Sequence, residues 1–337
     1  MKGKFTLKDL PYLLAEKSDN ELYTLAEKAR RETLRFFGRT IKLYAPLYLS
    51  SYCRNSCAYC NFNATLDTRR NRLNIKEALH EANVLNRQGI KHILLVSGED
   101  PDHISVDYLQ GLIAKLKEKF ASVSIEVQPL KTEEYKTLAR AGLDGLTVYQ
   151  ETYNRKVYEQ VHRHGQKKDY DWRFYTPDRG GQAGLREISI GFLLGLADWR
   201  QEALALAEHA DFLIKKYWRS QISISFPRIT RISHSYSPPY PVKERDLIQL
   251  IIALRLTFPH VDLTLSTRER PELRDKLIGV GITRMSAGSC TVPGGYSETL
   301  KASEGQFDIE DTRSIEKVSA SIDKAGYEPV FKDWEAI

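Results

Sequence analysis

Three cysteines stand close together in the run Cys53-Arg-Asn-Ser-Cys57-Ala-Tyr-Cys60. Thiolates at Cys-x3-Cys-x2-Cys spacing can ligate three irons of a 4Fe–4S cluster. The one other cysteine, Cys290, lies far along the chain, so a fourth iron is left open to a small-molecule ligand. Other chemistry competes for the same residues. Structural zinc takes four N or S ligands, usually as paired knuckles, and there is no second pair. Disulfides need even pairing and an oxidising compartment. A plain electron-transfer cluster and a decayed site are the remaining alternatives.

Such a triad needs a scaffold that holds it over a reaction chamber. Short β-branched runs alternate with longer amphipathic stretches along the chain, a pattern that predicts parallel strands joined by crossover helices. Strands are expected at 43–49, 93–97, 124–128, 145–149, 187–192, 222–226, 262–266 and 283–286. Helices are expected between them at 75–88, 105–119, 132–141, 154–162, 199–218, 242–258 and 271–280. Eight such units close most simply as a (β/α)8 TIM-type barrel, and 337 residues are enough for one. The expected division is an N-terminal helical segment capping one end (1–42), the barrel (43–290) and a C-terminal extension (291–337). A last helix at 314–324 and a short strand near Val330 belong to that extension.

In barrels of this kind the chemistry sits at the C-terminal ends of strands. The triad directly follows the first strand. Polar clusters follow others, at Ser97-Gly-Glu-Asp-Pro101, Glu126-Val-Gln128, Tyr149-Gln-Glu-Thr-Tyr153, Ser225-Phe-Pro-Arg228, Ser266-Thr-Arg-Glu269 and Ser286-Ala-Gly-Ser289. One such cluster is ordinary; six on one rim predict an active site.

Composition narrows the classes. Fifty Lys and Arg stand against 44 Asp and Glu, for a net charge of +6. The basic residues are dispersed, and the densest run, Thr68-Arg-Arg-Asn-Arg72, is short. A solvated surface is therefore expected rather than a nucleic-acid interface. No apolar run is long enough to span a membrane, and the N-terminus has no apolar signal core. A cytoplasmic, reducing location is the expectation.

The triad, with Tyr59 just before its last cysteine, resembles the signature of the radical SAM superfamily. There the open iron binds the amino and carboxylate groups of S-adenosylmethionine (SAM). A closer resemblance runs through Ala45-Pro-Leu-Tyr-Leu-Ser50, Glu126-Val-Gln-Pro-Leu130, Gly142–Tyr153, Trp172–Arg179, Ile190–Leu196, Ser225–Arg228, Leu265–Arg268, Met285–Ser289, Pro293–Tyr296 and Lys332-Asp-Trp334. In order along nearly the whole chain, these are similar to the tyrosine-cleaving radical SAM family of thiazole biosynthesis. A sister branch, the tyrosine lyase of iron-only hydrogenase maturation, carries a second cysteine cluster in a C-terminal extension. No cysteine beyond Cys290 could build one here. A third branch cleaves tryptophan. Asn61 is a departure, since thiazole-branch members often have glycine there.

The resemblance implies a 4Fe–4S cluster on Cys53, Cys57 and Cys60, with SAM as cosubstrate. It implies L-tyrosine as substrate, p-cresol and 2-iminoacetate (dehydroglycine) as products, and 5′-deoxyadenosine and methionine from SAM. A thiazole synthase and a flavodoxin-like or other one-electron donor are the implied partners, with no nucleic acid and no membrane. Tyr59, Ser97, Gly98, Glu99, Gln128, Glu151 and Arg173 are the candidate SAM contacts. Glycine at 98 lets backbone approach the methionyl amine, and Glu99 fixes the loop. Glu151 can accept from both ribose hydroxyls, Arg173 offers a planar fork to the SAM carboxylate, and Gln128 is a weaker rim donor. Arg268 is the candidate for the tyrosine carboxylate, assisted by Ser286 and Ser289. Arg228 adds charge or else pairs with Glu269. Tyr149 and Tyr153 read as wall or core aromatics, His162 and His164 as surface or loop-anchoring residues, and Cys290 as a buried small residue. The competing class is a zinc or nucleic-acid-binding module without catalysis.

Overall fold

The computed structural model describes residues 5–229, 236–297 and 304–332. Eight parallel strands form its centre: β1 Thr40–Ser50, β2 His92–Ser97, β3 Ser122–Glu126, β4 Gly145–Glu151, β5 Glu187–Phe192, β6 Gln221–Ser225, β7 Asp262–Leu265 and β8 Arg284–Ser286. Each pairs with the next, and β1 pairs with both β2 and β8, which closes the barrel. A ninth strand, β9 Glu328–Val330, lies beside Thr40–Lys42 at the start of β1. All eight expected barrel strands are present, with ends shifted by a few residues. The Asp333-Trp334 part of the terminal motif lies outside the described residues.

The strands form because their residues are buried on both faces. Their outward Leu, Ile and Val side chains join one continuous apolar core with the surrounding helices. The helices begin where the sequence supplies caps. Asn74 accepts from the Glu77 amide while the Glu77 carboxylate returns to Asn74 N–H, opening the helix Ile75–Arg87. Ser105 and Asp198 cap Val106–Leu116 and Trp199–Lys216.

Two short helices, Tyr170–Phe174 and Thr176–Gln182, escape the periodicity. The second holds Pro177 in its first turn, where a missing N–H costs nothing. It also holds Gly180 and Gly181, which read as breakers. Here they are packing requirements: a Cβ on Gly180 would sit 2.8 Å from Leu146, and one on Gly181 2.5 Å from the Tyr217 ring.

The N-terminal helix Asp19–Phe37 packs on the outer helix layer rather than over one end of the barrel. Glu244–Thr257 is buried nearly all round, so it needs apolar cover on its outer side as well. Leu25 and Ala29 provide that cover. Gln249 Nε2 ties the preceding turn down through the Leu13 and Ala15 carbonyls, at 2.9 and 2.7 Å.

Inside the barrel, one end is a charged floor. Arg284 of β8 pairs with Glu187 of β5; these strands are not neighbours, so the contact crosses the interior. The C-terminal half of the interior is left for an aromatic chamber.

Candidate active site

The loop after β1 carries the triad, and backbone hydrogen bonds hold it on three sides. Gly98 N donates to Ser50 O (2.9 Å), Arg54 N to Glu99 O (3.1 Å) and Ala58 N to Val161 O (3.0 Å). Gly98 cannot be replaced sterically, because a Cβ there would sit 2.2 Å from the Tyr52 carbonyl oxygen. Backbone N–H groups point at two of the sulfurs, Asn55 N to Cys53 Sγ and Phe62 N to Cys60 Sγ, both at 3.4 Å. Burial pushes all three thiols up, Cys60 to about 11, and each lies within electrostatic reach of the others. Such a group favours thiolates only when cations bind among them. Among the described residues no three His, Cys, Asp or Glu converge on a position for a single ion. Three clustered sulfurs, Cys57 buried and the other two half-buried with N–H donors, fit the corners of an iron–sulfur cluster better than a zinc knuckle.

Below the loop, a buried ion network joins the strand ends. Glu99 Oε2 accepts from Asn55 Nδ2 (2.8 Å) and Glu99 Oε1 from Arg173 Nη1 (2.8 Å). Arg173 also reaches Tyr149 O (2.6 Å) and Glu151 Oε1 (3.5 Å). Lys167 Nζ donates to Glu151 Oε1 (2.7 Å). Burial would raise the Glu151 carboxyl, but Lys167 and Arg173 outweigh it and hold the group below its ordinary value. Glu151 itself has a φ of +69° at a register shift in β4. Left-handed backbone is uncommon for a non-glycine residue, and it concentrates at functional sites.

The chamber and its mouth to solvent together span about 830 Å³. Tyr44, Tyr48 and Tyr149 form its aromatic walls, Cys60 and Tyr59 its edge toward the triad, and Phe307 and Gln306 its cover. Arg268 lies in this wall with its guanidinium 3.5 Å from the Phe307 ring centroid. Among the described residues its guanidinium has no carboxylate partner. Asn61 Nδ2 donates to Gly305 O (3.1 Å), which ties the covering segment to the triad loop.

Comparison with known proteins bears on what this chamber serves. Residues 47–210 match the Radical SAM superfamily, and residues 225–328 match the Biotin and Thiamin Synthesis associated domain. The 2-iminoacetate synthase of Escherichia coli K12 is 41% identical over 335 residues, covering 99% of this chain and 89% of that one. The enzyme of the same name from Salmonella typhimurium LT2 is 40% identical, covering 97% and 87%. The chain belongs to the 2-iminoacetate synthase family.

Solved structures agree. The [FeFe]-hydrogenase maturase HydG superposes with a TM-score of 0.92 at 32% identity, over 97% of this chain and 73% of its own. Methylornithine synthase (PylB), at 22% identity and a TM-score of 0.78, shares the fold. As a radical SAM family, the 2-iminoacetate synthases use a 4Fe–4S cluster and SAM, which agrees with the donor set of the triad loop.

Within this family frame, the residues singled out in the sequence separate into three groups. Cys53, Cys57, Cys60, Tyr59, Ser97, Gly98, Glu99 and Glu151 gather at the triad end of the barrel. Arg268, Ser286 and Ser289 line the chamber. Arg173, Gln128 and Arg228 are placed otherwise. Arg173 stands behind the chamber wall with its donors committed to Glu99, Glu151 and Tyr149, so it braces the carboxylates and has no free fork for SAM. Gln128 does not line the chamber, and its Nε2 is spent on Ile104 O (2.7 Å). Arg228 is withdrawn from the site: its Nε and Nη2 both donate to Glu269, and Nη1 donates to Val242 O (2.9 Å). The structural pairing is the one the fold uses.

His162 is fully buried, not on the surface, and acts as a loop anchor. Its Nδ1 meets Tyr158 O (2.9 Å) and its Nε2 the Tyr59 hydroxyl (2.7 Å). Tyr149 is a chamber wall, whereas Tyr153 turns outward to His209. Sequence reasoning assigned no role to Lys167, Asn55, Phe307 or Glu126. Lys167 lies in the three-residue 3-10 helix Gln166–Lys168 and Asn55 in a loop, both too short to carry a periodicity. Phe307 arrives from the far C-terminal segment, and only tertiary structure brings it over the barrel. Glu126 stands mid-strand in the expected 124–128 and becomes a strand end only because β3 stops at it, two residues before Gln128.

Proposed function

We propose that this chain cleaves the Cα–Cβ bond of L-tyrosine to p-cresol and 2-iminoacetate (dehydroglycine). The observation that carries this is Arg268, a guanidinium without a carboxylate partner among the described residues. It lies in an aromatic chamber that Cys60 of the triad borders. A buried cation left unpaired is costly, and an amino-acid carboxylate would satisfy it with a bidentate contact.

Cys53, Cys57 and Cys60 would hold three irons. When bound, the cluster and SAM supply the one-electron cleavage that gives methionine and 5′-deoxyadenosine. The backbone at Ser97 and Gly98 offers the methionyl end of SAM a close approach, and Glu151 faces the chamber where it can accept from ribose hydroxyls. Lys167 and Arg173 keep Glu151 ionised for that task. Ser286 and Ser289 stand beside Arg268 to orient the substrate amine and carboxylate. Gln306 and Phe307 close the chamber, and excluding water protects an imine product that water hydrolyses.

The partners follow from the product and the electron. A thiazole synthase accepts the 2-iminoacetate, and a flavodoxin-like or other low-potential donor supplies the electron. The name of the bacterial relatives supports tyrosine cleavage over tryptophan cleavage.

The test is anaerobic reconstitution with iron and sulfide, followed by SAM, a strong reductant and either tyrosine or tryptophan. Tyrosine-dependent p-cresol, glyoxylate (from hydrolysed 2-iminoacetate) and 5′-deoxyadenosine are expected. Cleavage of tryptophan alone would move the chain to the tryptophan branch. A protein that makes no 5′-deoxyadenosine with either would end the proposal.

A further inference from the structure

We infer that Glu126 grips the phenol hydroxyl of the substrate across the barrel from Arg268, and so selects tyrosine over phenylalanine. The inference rests on the tyrosine-lyase reading and adds a residue role to it. Glu126 ends β3 and Arg268 follows β7. These strands are four apart on a closed ring of eight, so the two side chains enter the chamber from opposite walls. Both line the same space, and they do not pair with each other. Among the described residues, the Glu126 carboxyl makes neither a hydrogen bond nor an ion pair.

The chamber thus offers an unmatched cation at one side and an unmatched carboxyl at the other, with tyrosine rings between. Tyr48 and Tyr149 each feel both charges. A rod-shaped ligand with a carboxylate at one end and a hydroxyl at the other would answer both groups. The substrate ammonium fits Glu126 poorly. It shares a carbon with the carboxylate, so its partner must lie beside Arg268, where Ser286 and Ser289 stand.

The surroundings suit a hydroxyl partner. Burial and the nearby Glu151 raise the Glu126 carboxyl to about 7, against the pull of Arg173, Lys167 and Arg268. The other titratable groups facing it are Tyr44, Tyr48 and Tyr149. At neutral pH the carboxyl can therefore accept from the phenol or donate to it. A site built to bond a buried hydroxyl rejects the ligand that lacks one, because the site's own polar group is then stranded.

The test uses cluster- and SAM-loaded enzyme and equilibrium dialysis with tyrosine and with phenylalanine. The unaltered enzyme is expected to favour tyrosine by at least about 100-fold. Glu126→Leu should weaken tyrosine binding by about 10- to 100-fold and leave phenylalanine unchanged or tighter. Glu126→Gln, which keeps shape and hydrogen bonding, should fall between, and it serves if the leucine variant fails to load its cluster. Parallel losses for both amino acids would place the ammonium at Glu126 and overturn the inference. So would an unchanged ratio. These outcomes are separable from failure of the parent reading, which requires the unaltered enzyme to make no p-cresol from tyrosine.

Discussion

Arg173 Nη1 donates to Glu99 Oε1 over 2.8 Å, joining the helix Tyr170–Phe174 to the turn that follows β2. Glu99 in turn holds Asn55, inside the cysteine run. The triad loop is therefore positioned by a charge pair that touches no sulfur. Removing one partner of a buried pair leaves the other uncompensated, at a cost of about 3–5 kcal/mol. Arg173→Met should accordingly loosen the loop. Reconstituted iron and sulfide content is expected to fall to half or less of the unaltered protein's, with circular dichroism unchanged. Full loading in a well-folded variant would show that the pair does not position the loop.

Arg268→Lys separates charge from geometry at the other end of the chamber. Lysine keeps the cation but loses the planar fork. The KM for tyrosine should rise by about 10- to 100-fold, equivalent to roughly 1.4–2.8 kcal/mol, while SAM binding is unaffected. Arg228→Met is the control. Because Arg228 serves Glu269 and Val242 O, that variant should lose stability and keep its tyrosine KM. The reverse ranking of the two KM values would exchange their roles.

These two arginines also show how much was legible. Both follow strand ends in the sequence, and both are fork donors, though only Arg268 has acidic neighbours along the chain, Glu269 and Glu272. Nothing in one dimension says that Glu269 is spent on Arg228 and not on Arg268. The barrel itself was readable, because eight buried strands and their capped helices repeat a period that burial enforces. The triad was readable because three cysteines in eight residues have few uses. Lys167, Phe307 and the bracing role of Arg173 were not. Each depends on a contact between segments that share no periodicity, and such contacts are set by tertiary packing.

Gly98→Ala tests the close approach at the end of β2. The added Cβ would meet the Tyr52 carbonyl oxygen at 2.2 Å and Cys53 Cβ at 3.1 Å. Backbone cannot yield cheaply there, since Gly98 N is bonded to Ser50 O. The alanine variant is expected to retain the barrel by circular dichroism. It should lose most of its cluster loading and nearly all SAM-dependent 5′-deoxyadenosine formation. Normal loading and product formation would mean that the turn relaxes without moving Cys53.

A second group of committed charges stands behind the chamber wall at Ser286. Arg274 and Asp311 are both fully buried and paired, Arg274 Nη2 also reaches Ser286 O at 2.5 Å, and Arg313 adds a second cation to Asp311. This group fastens the segment after Phe307 beneath β8 and so fixes the chamber's cover. Burial would raise the Asp311 carboxyl, but Arg313 and Arg274 overrule it and hold it below its ordinary value. A carboxyl with a depressed folded value stabilises fully above its unfolded value, near 3.9. That contribution is lost as pH falls through the folded value. Asp311→Asn should therefore cost about 3–5 kcal/mol near neutral pH, read as a lower denaturant midpoint. The gap from the unaltered protein should hold between pH 5 and 8 and shrink as pH falls below 4. A gap that stayed constant into acid would assign the loss to packing and not to the Asp311 charge.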